Sequence, residues 1–169
     1  MPYALCIFEG RQMMRRQERE LKNKETIEAI LERSPVGRMA TINREGFPII
    51  KPVNFLYWKG KIYIHSSMDG EKIDDIRRGT PICFELDEPI SYVAARGSAC
   101  TASYYYRSIL IKGKALLMEG QDKKLGILEL LMKKYQPEGG YERITDAILK
   151  KTAVIEISIE EITGKENLG

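Results

Sequence analysis

Residues 37–67 read GRMATINREGFPIIKPVNFLYWKGKIYIHSS, and this stretch decides the fold of the chain. It contains three segments rich in β-branched and aromatic residues, at 37–42, 47–57 and 62–67, with Gly-containing turns between them. Residues of these types favour extended strands, and short turns of this kind join antiparallel neighbours. The stretch therefore predicts a β-meander of three strands.

A polar cluster ends this meander directly before a predicted helix. His65, Ser66 and Ser67 close the third strand, and Lys72 follows at the start of residues 71–78, whose apolar positions have helical spacing. Hydroxyl groups, an ammonium group and the free N–H groups of a helix start are donors that bind phosphate. Taken alone, Lys72 is better explained as one more solvent-exposed lysine. The cluster as a whole predicts phosphate binding.

The rest of the chain adds helices and further strands. We expect helices at 24–33, 121–135 and 141–151, and strands at 82–86, 108–118 and 153–162. Residues 87–103 show no period and are predicted to be mostly loop, while Gly113 is expected to form a bulge in its long strand. Five or six mainly antiparallel strands favour a closed or nearly closed barrel, because closure removes exposed edges.

The composition limits the kinds of partner. With 169 residues, 43% hydrophobic, the chain fits one domain with a single core, and its net charge of +3 is too small to indicate a nucleic-acid partner. Three widely spaced cysteines provide neither a disulfide framework nor a metal-binding Cys-x-x-Cys pair, which favours a reducing, cytoplasmic location. The sequence has no signal-peptide or membrane-spanning pattern. We expect no metal and no membrane partner.

Five short motifs occur in an order that is more specific than any one of them. They are VGRMAT at 36–41, KPVNF at 51–55, IHSS at 64–67 with GEK at 70–72, YRS at 106–108 leading to KGKA at 112–115, and LLMKKY at 130–135. Together they resemble the flavin-binding split-barrel family related to pyridoxamine 5′-phosphate oxidase, and most closely its nitroimidazole-resistance (Nim-type) branch.

The resemblance implies a mainly β (α+β) fold, a six-stranded antiparallel split β-barrel with peripheral helices. Residues 13–169 would form a single flavin-binding domain, after an N-terminal extension at 1–12. It also implies a homodimer with flavin at the interface, so that residues of both chains form each site. The implied cofactor is FMN, with FAD as the alternative.

The resemblance also assigns the cofactor-binding residues. They are Lys51, Pro52, Val53, Asn54 and Phe55 along the flavin ring, His65 beside it, Ser66, Ser67 and Lys72 on the phosphate, and Arg107 and Ser108 from the partner chain. Pro52 gives up a ladder hydrogen bond, which is tolerated at a sheet edge, and Asn54 offers both a donor and an acceptor. The alternatives are an ordinary edge strand for 51–55 and an exposed strand end for Arg107.

His65 is the single histidine of the chain. A lone strand histidine is more often a packing or hydrogen-bonding residue than a functional one. The resemblance places it on the substrate side of the flavin, so we expect His65 to be catalytic and to donate a proton to the reduced substrate.

The implied function is a Nim-like flavin-dependent oxidoreductase. It would pass electrons from a reduced nicotinamide to a small planar acceptor such as a nitroaromatic compound, and NAD(P)H would bind only transiently because the chain has no Gly-x-Gly-x-x-Gly. Oxidation of vitamin B6 is not expected, since the chain lacks that oxidase's C-terminal arginine motif. Two alternatives remain: a non-enzymatic flavin- or haem-binding protein, and a deazaflavin-dependent enzyme.

Overall fold

The computed structural model describes residues 15–169, which form one antiparallel sheet of eight strands with helices around it. The strands are β1 Glu20–Leu21, β2 Gly37–Ile42, β3 Pro48–Val53, β4 Leu56–Trp58, β5 Lys61–Ser67, β6 Pro81–Val93, β7 Ser103–Leu117 and β8 Thr152–Asn167. The helices are α1 Lys24–Arg33, α2 Glu71–Arg77, α3 Gln121–Tyr135 and α4 Asp146–Lys151, with 3-10 turns at Gln17–Arg19 and Ala99–Thr101. The predicted N-terminal extension, residues 1–12, lies outside the described residues.

The two edges of the sheet are joined by a very short link. The strand order is β3-β2-β6-β7-β8-β5-β4, with β1 paired to β8, so β3 and β4 are the outermost strands of this path. Only Asn54 and Phe55 separate them in sequence. Because such a link spans only about 10 Å, the edges meet there without forming a ladder along their length. The sheet is therefore a split barrel, which confirms the predicted fold class.

The strand count is eight rather than six. The predicted segment 47–57 breaks at Asn54 into β3 and β4. The two-residue strand β1 is too short to show a periodic pattern in the sequence.

The barrel interior is filled by side chains that alternate along the strands. Met39, Ile64, Phe84 and Ile111 are almost completely buried there, and α1 covers one end with its apolar stripe. Each such side chain contributes roughly 1.5–3 kcal/mol by leaving water. A second apolar cluster lies on the opposite face of β4, β5 and β8, where α3 and α4 pack. Its buried members are Leu56, Tyr63, Ile127, Leu128, Leu131, Leu149 and Val154.

At two positions, Gly37 and Gly113, neighbouring atoms leave no space for a Cβ atom. A Cβ on Gly37 would clash with the ring of Phe84, and a Cβ on Gly113 would clash with the backbone carbonyl of Ser158. The register of β7 against β8 shifts between Lys112, opposite Glu161, and Gly113, opposite Ile159. The bulge predicted at Gly113 therefore lies in the neighbouring strand β8, where Glu160 is the extra residue. Such bulges bend the strand and help the sheet to curl.

The prediction that residues 87–103 are mostly loop holds for residues 94–102 and was wrong for residues 87–93 and 103, which belong to strands. Strands β6 and β7 continue as a hairpin in which Tyr92 pairs with Tyr104, and only residues 94–102 lie outside the two strands. Residues 89–92 are exposed, so this part of the hairpin carries no buried face to produce an alternating pattern.

The predicted helix at 141–151 is shorter in the structure. It begins at Asp146, because the Thr145 side chain accepts a hydrogen bond from Ile148 N and caps the helix. Within residues 15–169, no helix has the length and apolar character needed to cross a bilayer.

Candidate functional site

The edge strand β3 meets the start of α2 through three charged side chains. Lys51 Nζ lies 3.0 Å from Glu71 Oε2. Burial lowers the pKa of Lys72, and the nearby charge of Lys51 lowers it further. The structure therefore brings together two cations that the sequence assigned to separate parts of a cofactor site. We call Lys51, Glu71 and Lys72 the charge cluster.

Among the charged side chains of α2 and its C-cap, Lys72 alone has no oppositely charged partner within residues 15–169. Asp74 pairs with Arg77 at 3.3 Å and Asp75 with Arg78 at 2.7 Å, while Glu71 pairs with Lys51. Within residues 15–169, Lys72 makes no ion pair. A half-buried ammonium without a counter-charge is unfavourable, and an anion placed beside it would remove that penalty. The donor set fits a phosphate group.

A buried carboxylate holds α2 on the barrel. Asp75 is only 1% exposed and accepts hydrogen bonds from Thr41 Oγ1 at 2.6 Å and from Arg78 at 2.7 Å. Arg78 also donates to the carbonyl of Ile42 at 2.7 Å. This network fixes the helix against β2 and so positions Lys72. The sequence offered one signal of it, an aspartate at 75 on the apolar side of a short helix.

The end of β5 divides its polar residues between two faces. Because side chains alternate along a strand, Ser66 lies on the face of Ile62 and Ile64, and His65 and Ser67 lie on the opposite face. The His65 side chain is exposed and makes no hydrogen bond to any other residue in the described part of the chain. The Ser67 hydroxyl lies 3.5 Å from the backbone N–H of Asp69. His65 is thus free to contact a ligand from outside the barrel.

Tyr135, at the end of α3, holds the link between the two sheet edges. Its hydroxyl accepts from Phe55 N at 2.8 Å and lies 2.7 Å from the carbonyl of Pro35 and 2.9 Å from that of Phe55. Asn54 Nδ2 donates to the same Pro35 carbonyl at 3.1 Å. The amide of Asn54 is therefore already engaged in holding the link.

Lys134 reinforces the same link. Its Nζ donates to the carbonyls of Ser34 at 2.9 Å and Phe55 at 3.0 Å, and lies 4.2 Å from the centre of the Phe55 ring. Burial lowers the pKa of Lys134 to about 8. The motif containing Lys134 and Tyr135 was noted in the sequence, but nothing local indicated that both residues bind this link.

Within the segment 51–55 that is predicted to line the flavin ring, Pro52, Val53 and Phe55 differ in burial. Val53 and Phe55 have buried side chains, and Phe55 packs edge-on against Phe84 with ring centres 5.0 Å apart. Pro52 is exposed and lies on the edge strand opposite Arg38, as expected for a proline that cannot donate to a ladder.

Arg107 and Ser108 lie far from the charge cluster along the sheet. Ser66 pairs with Ala153 near the start of β8, whereas Arg107 pairs with Glu166 near its end. On the other side of the barrel Lys51 pairs with Met39, Met39 with Phe84 and Phe84 with Ile111, so Arg107 lies three strands and four residues from Lys51, about 20 Å along the sheet. Arg107 Nε also donates to Glu166 at 3.1 Å. One chain alone does not bring Arg107 to the phosphate residues.

The strand order, the unpaired edges and the short link between them define a split-barrel protein. The model of the pyridoxamine 5′-phosphate oxidase family matches residues 23–166, so the chain belongs to that family. This match confirms the resemblance seen in the sequence motifs. No curated protein matches the chain at the level of sequence.

Three solved structures illustrate how widely this fold is used. The flavocytochrome Anf3 from Azotobacter vinelandii is similar with TM-score 0.84 and 23% identity, over 93% of this chain and 73% of that chain. The FAD and haem binding protein from Mycobacterium smegmatis is similar with TM-score 0.81 and 22% identity, over 89% and 74%. A candidate 5-nitroimidazole antibiotic resistance protein from Bacteroides thetaiotaomicron is similar with TM-score 0.75 and 24% identity, over 86% and 85%. At these identities the likeness shows a shared fold.

Proposed function

We propose that this protein is a flavin-dependent oxidoreductase that reduces a small planar acceptor, such as a nitroaromatic compound, with electrons from a reduced nicotinamide. The observation that carries the proposal is the charge cluster, where half-buried Lys72 lacks a counter-charge within residues 15–169 and Lys51 lies beside it. The family match and the split barrel support a flavin as the group that supplies the anion. The cytoplasmic location remains a prediction.

The chain's residues would bind and orient the cofactor. The proposed holding residues are Lys51, Pro52, Val53, Asn54, Phe55, His65, Ser66, Ser67 and Lys72, with Arg107 and Ser108 from a partner chain. A bound flavin supplies hydride and electron transfer. Val53 and Phe55 act through their backbone and through the rigid packing behind it, since their side chains are buried.

His65 is proposed to hold and deliver a proton to the acceptor. Its exposed side chain has no competing hydrogen bond within residues 15–169, and a positioned acid typically speeds such a step by a factor of about 10²–10⁴. We expect His65→Gln to retain flavin and to slow single-turnover reduction of a nitroaromatic acceptor by about 10²-fold or more. An unchanged rate would rule out this role.

A homodimer is proposed because one chain does not assemble all the predicted residues. Arg107 lies about 20 Å along the sheet from Lys51 and is paired with Glu166, so its contribution to the phosphate site would come from a second copy. The outer face of the sheet also exposes Ile50, Leu110 and Leu116, at 64%, 38% and 63%. Exposed apolar side chains on one face are typical of a subunit interface.

The test begins with protein purified as expressed. The ligand released by denaturation is identified by absorption and mass, and the intact protein is then mixed with NADH or NADPH without oxygen. Released flavin and rapid bleaching would support the proposal, and an added nitroaromatic compound should restore the colour. Absence of flavin, even after reconstitution, would overturn it.

A second candidate is a non-enzymatic flavin- or haem-binding protein. It is favoured by the similarity to a flavocytochrome and to an FAD and haem binding protein, and by the exposed imidazole of His65, which is a possible axial ligand. A Soret band in the purified protein that is lost in His65→Ala would support this candidate, as would bound flavin that no donor reduces.

A further inference from the structure

The side chain of Asn54 is exposed at the link between the two sheet edges, yet its amide nitrogen is already bonded. Its Nδ2 donates to the carbonyl of Pro35 at 3.1 Å. Burial raises the pKa of Tyr135, and the N–H of Phe55 and the amide of Asn54, both donating toward its oxygen, oppose that rise. Within residues 15–169, Oδ1 of Asn54 accepts no hydrogen bond. The donors of this amide therefore serve the protein, and its acceptor is left for a ligand.

The hydroxyl of Tyr135 holds the Asn54 amide in this orientation. It accepts from Phe55 N at 2.8 Å and lies 2.7 Å from the Pro35 carbonyl, the same oxygen to which the amide donates. If the amide turned over, Oδ1 would face the Pro35 carbonyl, and neither oxygen has a hydrogen to share. Such a pair of facing acceptors is costly, so the orientation is fixed.

This orientation limits which atom of a flavin Asn54 is able to bind. The sequence alone allowed Asn54 both a donor and an acceptor role, and the structure leaves the acceptor. The oxidised isoalloxazine ring carries a single N–H group, at N3 of its pyrimidine part, and its other polar ring atoms are acceptors. Oδ1 placed against any of those atoms would leave two acceptors facing each other. The N3–H group is therefore its only partner on the ring.

The position of Asn54 suits a ligand that also reaches the charge cluster. Asn54 directly follows strand β3, which carries Lys51. The extended chain from Lys51 to Asn54 measures about 10 Å. A flavin has its phosphate and its ring at opposite ends of the ribityl chain, so one molecule is able to contact both residues.

We propose that Asn54 binds the N3–H group of the flavin through Oδ1 alone, and that Tyr135 is the positioning residue that holds the amide in this orientation. The inference rests on the proposed flavin site and defines how the ring lies in it. The pyrimidine edge is at the link between β3 and β4, and the dimethylbenzene edge points away from the link.

The experiment compares flavins that differ only at N3. Dissociation constants of FMN and FAD, and of both molecules methylated at N3, are measured by flavin fluorescence for the full-length flavin-free chain and its variants. We expect methylation to weaken binding to the original chain by about 3–10-fold, the effect of one lost hydrogen bond. Asn54→Ala is unable to accept this bond, so the ratio of the methylated to the unmethylated constant should fall by about 3-fold or more.

Tyr135→Phe tests the positioning role, since it removes the hydroxyl and keeps the ring. It should lower the methylation ratio by about 2-fold or more, because the amide of Asn54 is then able to turn over. A purely structural role would weaken both ligands equally and leave the ratio unchanged. The matched control is Asn167→Ala: Asn167 Nδ2 also donates to a backbone carbonyl, that of Tyr104 at 2.9 Å, but it lies at the end of β8. This control should keep the original ratio.

Equal binding of methylated and unmethylated flavins by the original chain would overturn the inference, and so would a ratio that Asn54→Ala leaves unchanged. An unchanged ratio in Tyr135→Phe would remove the positioning role. In each of these cases flavins bind, so the proposed function survives. If neither FMN nor FAD binds, the proposed function fails together with the inference. Thermal melting of each variant checks that the fold is retained.

Discussion

At the scale of single residues, Lys134 shows what a buried charge does to stability. Its pKa is lowered from 10.5 to about 8 by burial, so the folded chain releases this proton at a lower pH than the unfolded chain does. Between these two values the unfolded state binds more protons, and the free energy of unfolding therefore rises with pH. Below the lower value both states are protonated and the cost stays constant.

We therefore expect the free energy of unfolding, measured with urea, to increase between pH about 7.5 and about 9.5. Lys134→Met should flatten this rise, and Lys133→Met, on the exposed neighbouring position, should keep it. The window avoids Tyr57 and Tyr63, whose pKa values are raised to about 12 and which lower stability only above pH 10. An equal rise in Lys134→Met would contradict the assignment.

Gly37 is the residue whose lack of a side chain matters most for packing. A Cβ there would enter the ring of Phe84, so we expect Gly37→Ala to destabilise the fold by about 1–3 kcal/mol through overpacking. The control is Gly126→Ala in α3, where no atom lies within 4 Å of the new Cβ. Removing a mid-helix glycine should stabilise by about 0.5–1 kcal/mol. Urea unfolding of both variants checks the opposite signs.

The sequence indicated several residues of the candidate site, but it indicated few of the contacts that these residues make. His65 and Lys72 were identified from a strand end and a helix start, which are local patterns. The contact between Lys51 and Glu71 joins residues twenty positions apart, and Tyr135 binds the Pro35 carbonyl one hundred positions away. Such contacts depend on how the barrel closes, and no local pattern contains that information.

At the scale of elements, α2 depends on one buried bond. The helix has seven residues and is too short to be stable alone. We expect Thr41→Val, which preserves shape but removes the hydroxyl bonded to Asp75, to cost about 1–3 kcal/mol because a buried carboxylate oxygen loses its donor. Thr163→Val is the control, since its hydroxyl makes a longer, exposed contact of 3.4 Å. Equal small effects in both variants would show that the buried bond is not needed.

The elements that the sequence predicted well are those with one buried face. Helix α1 and strands β2 and β5 agree with the predicted ranges because their apolar residues recur with the period of the element. The sequence did not predict the β6–β7 hairpin in the part that leaves the core. Helix α4 was predicted too long because Tyr141 and Ile144 extend the apolar pattern to residues before the N-cap at Thr145. Burial produces the pattern, so an exposed strand lacks it.

At the scale of the whole molecule, the outer face of the sheet predicts self-association. We expect a dimer in solution, measured by sedimentation, and at least a 10-fold weaker dimer for Ile50→Glu, because a charge would be buried against apolar surface. Ile148→Glu is the control: Ile148 is also exposed, at 47%, but it lies on α4 rather than on the sheet. A monomeric original chain, or equal weakening in both variants, would contradict this interface.

The link at Asn54 and Phe55 is the point at which the two edges of the open barrel are held together. Lengthening the chain by two glycines between these residues should lower the melting temperature sharply, because Tyr135 and Lys134 lose their partners and the two edges separate. The same insertion between Gly97 and Ser98, in the exposed turn of the β6–β7 hairpin, should cost little. A peptide or reporter to be displayed on this protein should therefore be inserted in the turn of the β6–β7 hairpin, and the link at Asn54 and Phe55 should be left unchanged.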